Sequence, residues 1–332
     1  MLKALLRENW PERAGELRER DGGWNNSTYF IANEHYRSVL RVYAHGDLEK
    51  IRFEHELLIR LSGLPLSFGV PSPIPSRSGS TIVPLGDGSG KLACLFRYIE
   101  GVSPAGGSDV FAYSFGRAAG ELSAALTAVR PGLPAAYPPY YRLKEAYPDC
   151  DIRTTRDFCL RPPAPFEHLR EELMVLHAAY TQIMDSLEGL EKLPHQLVHG
   201  DLNASNLLVS PESPSEVTAL LDFEFCTRDL RVMEPAVILS GLLGAAGERE
   251  AVRLFCRGFG SQVRLHADEM EAIPAMIRLR QVDVFLHFLT RYLNGTDEAD
   301  VLQKQARMLS SALQELAAKE WLAEELLALR EG

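Results

Sequence analysis

The run His199-Gly200-Asp201-Leu202-Asn203-Ala204-Ser205-Asn206, followed shortly by Leu221-Asp222-Phe223-Glu224, offers a carboxylate, an amide and a second carboxylate, each edged by apolar residues. Carboxylate and amide oxygens are hard donors of the kind that hold Mg²⁺ against phosphates. An aspartate beside them can orient a hydroxyl or take its proton. Leu207-Leu208-Val209 reads as a strand, Ser210 to Pro214 as turn chemistry, and Val217 to Leu221 as the returning strand. Pairing Val209 with Ala219 predicts Asn206 across from Asp222, with Asp201 on the loop just before them. A capped turn and a strand-end carboxylate would explain each residue singly, but order, spacing and hairpin placement together favour a metal site with a base beside it.

Such a site needs elements that bring phosphates to it. Leu17 to Arg20, Thr28 to Ala32 and Val39 to Tyr43 have strand character, with Asp21-Gly22-Gly23-Trp24-Asn25-Asn26-Ser27 as a hairpin loop between the first two. Its backbone N–H groups, with the Ser27 and Thr28 hydroxyls, could cradle phosphate oxygens. The same glycines also serve a turn alone. Asp47 is positioned to cap a helix from Leu48 to about Leu61, whose apolar stripe is Ile51, Leu58 and Leu61. Glu54 falls on that stripe and Glu56 on the far side. A buried Glu54 needs a cation, and Arg41 in the third strand is the nearest one; otherwise Arg41 faces solvent and Glu54 sits at the helix margin.

Thr81 to Leu85 and Leu92 to Arg97 read as a hairpin around Gly86-Asp87-Gly88-Ser89-Gly90. The second strand runs into Tyr98-Ile99-Glu100-Gly101, a suitable hinge. The expected organisation is therefore a β-rich lobe over residues 1–98 and a mainly helical lobe over 99–332. In the second lobe, Val110 to about Ala128 and Glu167 to Leu190 read as helices separated by proline-punctuated loops. Beyond Val232 four or so helices follow, with breaks near Gly247, Gly260 and Gly295. Val282, Phe285, Phe288, Leu289 and Tyr292 fit a packing face. Glu224, Asp229 and Glu234 are candidates to orient the Asp201 loop or contact a substrate, and Asp229 or Glu234 could instead cap the helix beginning near Val232.

The chain has 332 residues, 46% of them hydrophobic and 24% charged, an ordinary globular composition. Acidic residues outnumber basic ones, 45 to 35, which disfavours nucleic acid or an anionic membrane as partner; the charge serves solubility first and leans only mildly toward a cationic substrate. The five cysteines form no C-x-x-C pair, as in a reduced cytoplasmic protein. The longest apolar run is about a dozen residues, short of the ~20 that span a bilayer.

Phosphoryl transfer from ATP requires metal ligands, a cation on the phosphates and a carboxylate at the attacking hydroxyl. His199-x-Asp201 with Asn206 and then Asp222 resembles the catalytic loop and metal-binding aspartate of the protein-kinase-like fold. The form H-G-D-L-x-x-x-N is similar to the aminoglycoside phosphotransferase superfamily, which includes choline and homoserine kinase-like enzymes. Asn26, Thr28, Tyr29 and Phe30, the strand Val39 to Val42, Glu54 and the segment Asp222 to Asp229 look most like its type II homoserine kinase branch.

The resemblance implies an α+β, bilobal fold and an ATP- and Mg²⁺-dependent kinase acting on the hydroxyl of a small, amine-bearing acceptor. It makes Asp201 the base, His199 a brace for the catalytic loop, and Asn206 and Asp222 the Mg²⁺ ligands. Arg41, paired with Glu54, would touch the α and β phosphates. Phe96 would lie behind the adenine, with the Arg97 carbonyl and the Ile99 N–H at its edge. Arginine stands at position 41 where lysine is usual, Glu224 where homoserine kinases commonly carry an aromatic residue, and Gly200 where they commonly carry alanine. The rival expectation from Arg41 and the sparse glycine loop is a nucleotide-binding pseudokinase acting as a scaffold.

Overall fold

A computed structural model describes residues 1–19, 26–43 and 47–330. Of the loop from Asp21 to Ser27, only Asn26 and Ser27 lie among the described residues. The chain opens with α1 (Leu2–Asn9), a short amphipathic helix absent from the expectations above. An antiparallel sheet follows, of β1 (Glu16–Glu19), β2 (Asn26–Ala32), β3 (Arg37–Tyr43), β4 (Val83–Pro84) and β5 (Leu92–Arg97), in the spatial order β1-β2-β3-β5-β4. Helix α2 (Leu48–Ser62) lies between β3 and β4 in sequence, and the Asp47 side chain caps it by accepting from the Lys50 N–H.

Strand alternation sorts the two faces of this sheet. Leu40, Val42, Ala93 and Leu95 join Leu5, Leu6 and Trp10 of the α1 segment in one core. The Trp10 indole N–H also donates to the Ile74 carbonyl at 2.9 Å, pinning the segment across the sheet. The intervening residues point the other way: Tyr43, Cys94 and Phe96 join the core that contains Ile51, Phe53, Leu57 and Leu58 of α2. Arg41, paired with Cys94 in the register, therefore faces α2 rather than solvent.

The rest is mainly helical: α3 (Ala112–Leu126), α4 (Leu143–Ala146), α5 (Ile152–Leu160), α6 (Arg170–Leu190), then four short strands, then α7 (Met233–Leu242), α8 (Glu248–Gly260), α9 (Ala267–Leu293), α10 (Ala299–Ala318) and α11 (Leu322–Leu326). The strands are β6 (His195–Val198), β7 (Leu207–Val209), β8 (Val217–Leu220) and β9 (Thr227–Leu230), pairing β6 with β9 and β7 with β8. The architecture is α+β, a β-rich N-terminal part on a helical C-terminal part. All five cysteines are buried and unpaired. No helix among the described residues is long and apolar enough to cross a membrane.

The connection after β5 lies directly on the β7–β8 hairpin. Val102 and Val209 exchange backbone hydrogen bonds at 3.0 and 2.9 Å. Gly101 has φ +147°, and a Cβ there would meet the Leu208 Cβ at 2.8 Å, so only glycine lets the two backbones approach this closely. The hairpin register differs from the expected one. Leu207 pairs with Leu220 and Leu208 with Ala219, and an irregularity between Leu208 and Val209 then sets Val209 opposite Val217. Asn206 consequently faces Leu221, whose N–H donates to the Asn206 carbonyl at 2.8 Å, and Asp222 lies one residue beyond. A bulge takes up one residue on the turn side and shifts the whole pairing.

Candidate active site

The loop from His199 to Asn206 is held from three directions. Gly200 has φ +81°, and a Cβ there would sit 3.2 Å from the Phe225 carbonyl. This turn aims Asp201 away from β6. The His199 ring is fully buried, with Nε2 2.9 Å from the Leu221 carbonyl and Nδ1 3.3 Å from the Asp201 N–H. Those partners require Nε2 to donate and Nδ1 to accept, so the ring is neutral; burial holds its pKa down at about 4. One side chain thereby fixes the Asp201 backbone to the residue preceding Asp222.

Glu234 completes the support. It is fully buried at the start of α7, and its Oε2 accepts the His199 N–H at 2.5 Å. It therefore reaches the loop and does not cap its own helix, whose N-terminus carries no side-chain cap bond. Burial raises its pKa to about 7 against the pull of the His199 and Gly200 N–H groups. Asp229 is likewise buried and accepts the Tyr140 N–H and the Leu230 N–H, both at 2.6 Å. Neither carboxylate is exposed to a substrate, so the expectation of a substrate contact is corrected for both.

Asn206 donates its amide to the Asp201 carbonyl at 2.9 Å and to Asp201 Oδ2 at 3.3 Å. Its amide nitrogen is committed to the loop, and its side-chain oxygen has the Ser205 hydroxyl at 3.5 Å. Asp222 is the only non-glycine residue of positive φ among the described residues, at φ 65°, ψ 63°. Aspartate tolerates this left-handed backbone better than most residues, and the kink swings its carboxylate toward the sheet. There Arg41 Nη2 lies 3.1 Å from Asp222 Oδ1, while Arg41 Nη1 lies 3.4 Å from Glu54 Oε1. Tyr43 donates its hydroxyl to Glu54 Oε2 at 3.1 Å.

One guanidinium thus joins strand β3, helix α2 and the segment after β8. Burial alone would lower the Arg41 pKa, but Glu54 and then Asp222 outweigh it and hold it above the ordinary value. Glu54 is raised by burial to about 7, with Arg41 opposing.

A cavity of about 280 Å³ opens between the two parts. Thr28, Arg41, Glu54, Phe96, Arg97, Ile99 and Asp222 all line it. Ser27 does not: it is exposed, because alternation along β2 gives it the opposite face from Thr28, and the expectation of a paired hydroxyl cradle reduces to Thr28. Glu224 turns back to the sheet, accepting from the Asn26 amide at 3.1 Å. Among the described residues no group of three or more His, Cys, Asp or Glu could hold a metal by itself. The Asn206 oxygen and the Asp222 carboxylate fit a cation that completes its shell with phosphate and water, as Mg²⁺ does.

The sequence of the phosphotransferase enzyme family matches this chain over residues 16–273. The chain belongs to that family. In sequence it is similar to a homoserine kinase of Methylobacterium radiotolerans, 25% identical over 294 residues that cover 86% of this chain and 83% of that one. In fold it is similar to a microcompartment-associated aminopropanol kinase, with a TM-score of 0.69 at 19% identity over 99% of this chain and 98% of that one. The amicoumacin kinase hAmiN, in complex with AMP-PNP, Ca²⁺ and Ami, gives a TM-score of 0.66 at 17% identity over 96% and 92%. These neighbours share the protein-kinase-like architecture.

Sequence reasoning missed one set of residues on the side of Asp201 away from the cavity. Arg280 of α9 places Nη2 2.7 Å from Asp201 Oδ1, and Nη1 2.8 Å from the Tyr140 hydroxyl and 3.3 Å from Asp283 Oδ2. Tyr140 donates to the Gly200 carbonyl at 2.7 Å, and Tyr147 donates to Asp283 Oδ1 at 2.7 Å. Burial raises the Asp201 pKa and Arg280 opposes it. Arg280 and Asp283 lie three residues apart on α9, but the helix also carries Asp268, Glu269, Glu271, Arg278 and Arg291, so its sequence does not single them out.

Proposed function

We propose that this protein transfers the γ-phosphoryl group of ATP, with Mg²⁺, to the hydroxyl of a small amine-bearing acceptor. The observation that carries this reading is that Asn206, bonded to Asp201, pairs with Leu221, while the next residue, Asp222, lines a cavity shared with Arg41 and Glu54. Asp201 orients the acceptor hydroxyl and takes its proton as the oxygen bonds to the γ-phosphorus and the bridging P–O bond to ADP breaks. Asn206 and Asp222 would hold Mg²⁺, which neutralises charge on the phosphate oxygens. Arg41 moves its bond from Asp222 to the phosphates while Glu54 keeps it in place. Phe96 packs against the base, and the Arg97 carbonyl and Ile99 N–H meet its polar edge. His199 and Glu234 keep Asp201 aimed. An amine on the acceptor accords with the net charge of −10 and with the amino-alcohol substrates named for two of the relatives.

The test is coupled ADP release across amino alcohols, aminosugars and pentoses, with Asp201→Asn as the blank. The expected outcome is Mg²⁺-dependent turnover of one acceptor class that the variant abolishes. Nucleotide binding with no Asp201-dependent turnover across the panel would instead make the chain a nucleotide-binding scaffold.

A further inference from the structure

Helix α2 carries Glu54, and its two ends are fixed by different means. The C-terminal end is tied by the chain that follows it: the Ser67 N–H donates to Glu121 Oε1 of α3 at 2.7 Å, and the Gly69 N–H donates to the Thr218 carbonyl of β8 at 2.8 Å. The N-terminal half meets residues 130–142, part of the connection from α3 to α4, which Pro131, Pro134, Pro138 and Pro139 stiffen. Glu56, on the face of α2 turned from Glu54, accepts the Gly132 N–H at 2.7 Å, and Lys50 Nζ lies 4.4 Å from the centroid of the Tyr137 ring. Glu54 stands between these two contacts along the helix.

The same segment also grips the catalytic side. The Tyr137 ring lies against Phe225, with centroids 4.9 Å apart, and the Tyr137 carbonyl accepts the Thr227 hydroxyl at 2.6 Å. Tyr140 donates its N–H to Asp229 and its hydroxyl to the Gly200 carbonyl, beside Asp201. One stretch of chain thereby touches α2, the residues after Asp222 and the loop of Asp201. The Arg41–Asp222 contact, at 3.1 Å, depends on where Glu54 holds Arg41, and so on where this stretch holds α2.

We infer that residues 130–142 form a clasp that sets the spacing between Arg41 and Asp222, with Glu56, Lys50 and Tyr137 as positioning residues for the triphosphate. The proposal rests on the kinase reading, in which the phosphates lie between Arg41 and a cation held by Asp222. Adenosine needs only the segment after β5 and the apolar wall that Val39, Phe96 and Leu208 give the cavity. A nucleoside triphosphate with Mg²⁺ needs both faces at once, so letting the N-terminal half of α2 swing about its tied end weakens the hold on the phosphates alone. Releasing the clasp can weaken triphosphate binding by no more than the clasp itself contributes. For a hydrogen bond to a charged but partly exposed acceptor, that ceiling is about tenfold.

The experiment measures binding of AMP-PNP with Mg²⁺, and of adenosine, by calorimetry on the full chain, comparing wild type with Glu56→Ala, Glu56→Gln, Tyr137→Leu and Tyr137→Phe. Glu56→Ala and Tyr137→Leu should each weaken AMP-PNP by about threefold to tenfold and leave adenosine within about twofold. Glu56→Gln still accepts from Gly132, and Tyr137→Phe keeps the ring beside Lys50 and Phe225, so both should bind like wild type. Combining Glu56→Ala with Tyr137→Leu should lose less than the product of the single losses, because each alone already releases the one clasp. Equal losses for AMP-PNP and adenosine, as a general loosening of the fold would give, overturn the inference, and so do variants that bind AMP-PNP as wild type does. Either result leaves the kinase reading intact. Wild type that fails to bind AMP-PNP overturns both.

Discussion

Glu234 gives the sharpest energetic expectation. Its carboxylate is fully buried, its Oε1 has no hydrogen-bond partner among the described residues, and its Oε2 takes the His199 N–H. Burial raises its pKa from an ordinary 4.5 to about 7. Between those two values the folded chain holds a proton that the unfolded chain has released, so unfolding free energy falls as pH rises through the window and levels off above it. The stability that Glu234 contributes is therefore complete below about pH 4.5 and gone above about pH 7, a change of roughly 3 kcal/mol. Glu234→Gln keeps an oxygen for the His199 N–H and removes the titration. Urea unfolding at pH 5, 6, 7 and 8 should show wild type losing more stability across the range than the variant, by about 3 kcal/mol. Glu54 and Asp229 titrate upward in the same sense, so the difference between the two proteins isolates Glu234. Identical pH slopes would mean that Glu234 binds its proton equally well folded and unfolded, and the account of a carboxyl whose burial disfavours its charge would fail.

Three further outcomes are expected. Arg41→Ala should destabilise by about 3 kcal/mol because it strands Glu54 without its cation, and adding Glu54→Leu should recover stability in thermal melts without recovering turnover. Gly200→Ala should cost about 1–2 kcal/mol in chemical denaturation for the left-handed backbone, and should lower kcat more than nucleotide affinity because it turns Asp201. In a pH profile, kcat/KM should fall on the acid side at a pH above the ~4 of a free aspartate, since burial raises Asp201 and the base must be ionised. Because Arg280 lowers that pKa, Arg280→Met should move the acid limb to higher pH, and an unmoved limb would show that another group controls it.

Locally encoded features were the legible ones. Asp47 with the Ile51, Leu58 and Leu61 stripe specified α2, and alternation over Val39 to Tyr43 put Arg41 and Leu40 on opposite faces. The order Asp201, Asn206, Asp222 was readable because chemistry constrains both residue type and spacing. The hairpin register was not, since a bulge at Leu208/Val209 depends on how Val102 and Gly69 pair with the two strands from outside the hairpin. Strand β9 was missed for the same reason: Thr227 to Leu230 is a strand only because β6 lies beside it. Helices α1 and α5 are short, and their apolar residues acquire meaning from the sheet and the helices they cover.

Arg280 was illegible for a different reason. On α9 it looks like any polar position on a half-exposed face, and nothing in its neighbours' spacing names Asp201, 79 residues away. The two sides of the site are therefore encoded differently. On the proposed function, the nucleotide side is Arg41, Glu54, Asn206 and Asp222, residue types that phosphate and metal would restrict. The acceptor side is whatever residues of α9 and the Tyr140 segment project over Asp201, and these can vary without disturbing the pairings that hold the hairpin. A chain built this way can change acceptor through α9 while its phosphoryl-transfer parts stay constant. Substitutions at Arg280 and Asp283 should then redistribute activity among acceptors, whereas substitutions at Arg41 or Asp222 should lower it for all of them alike.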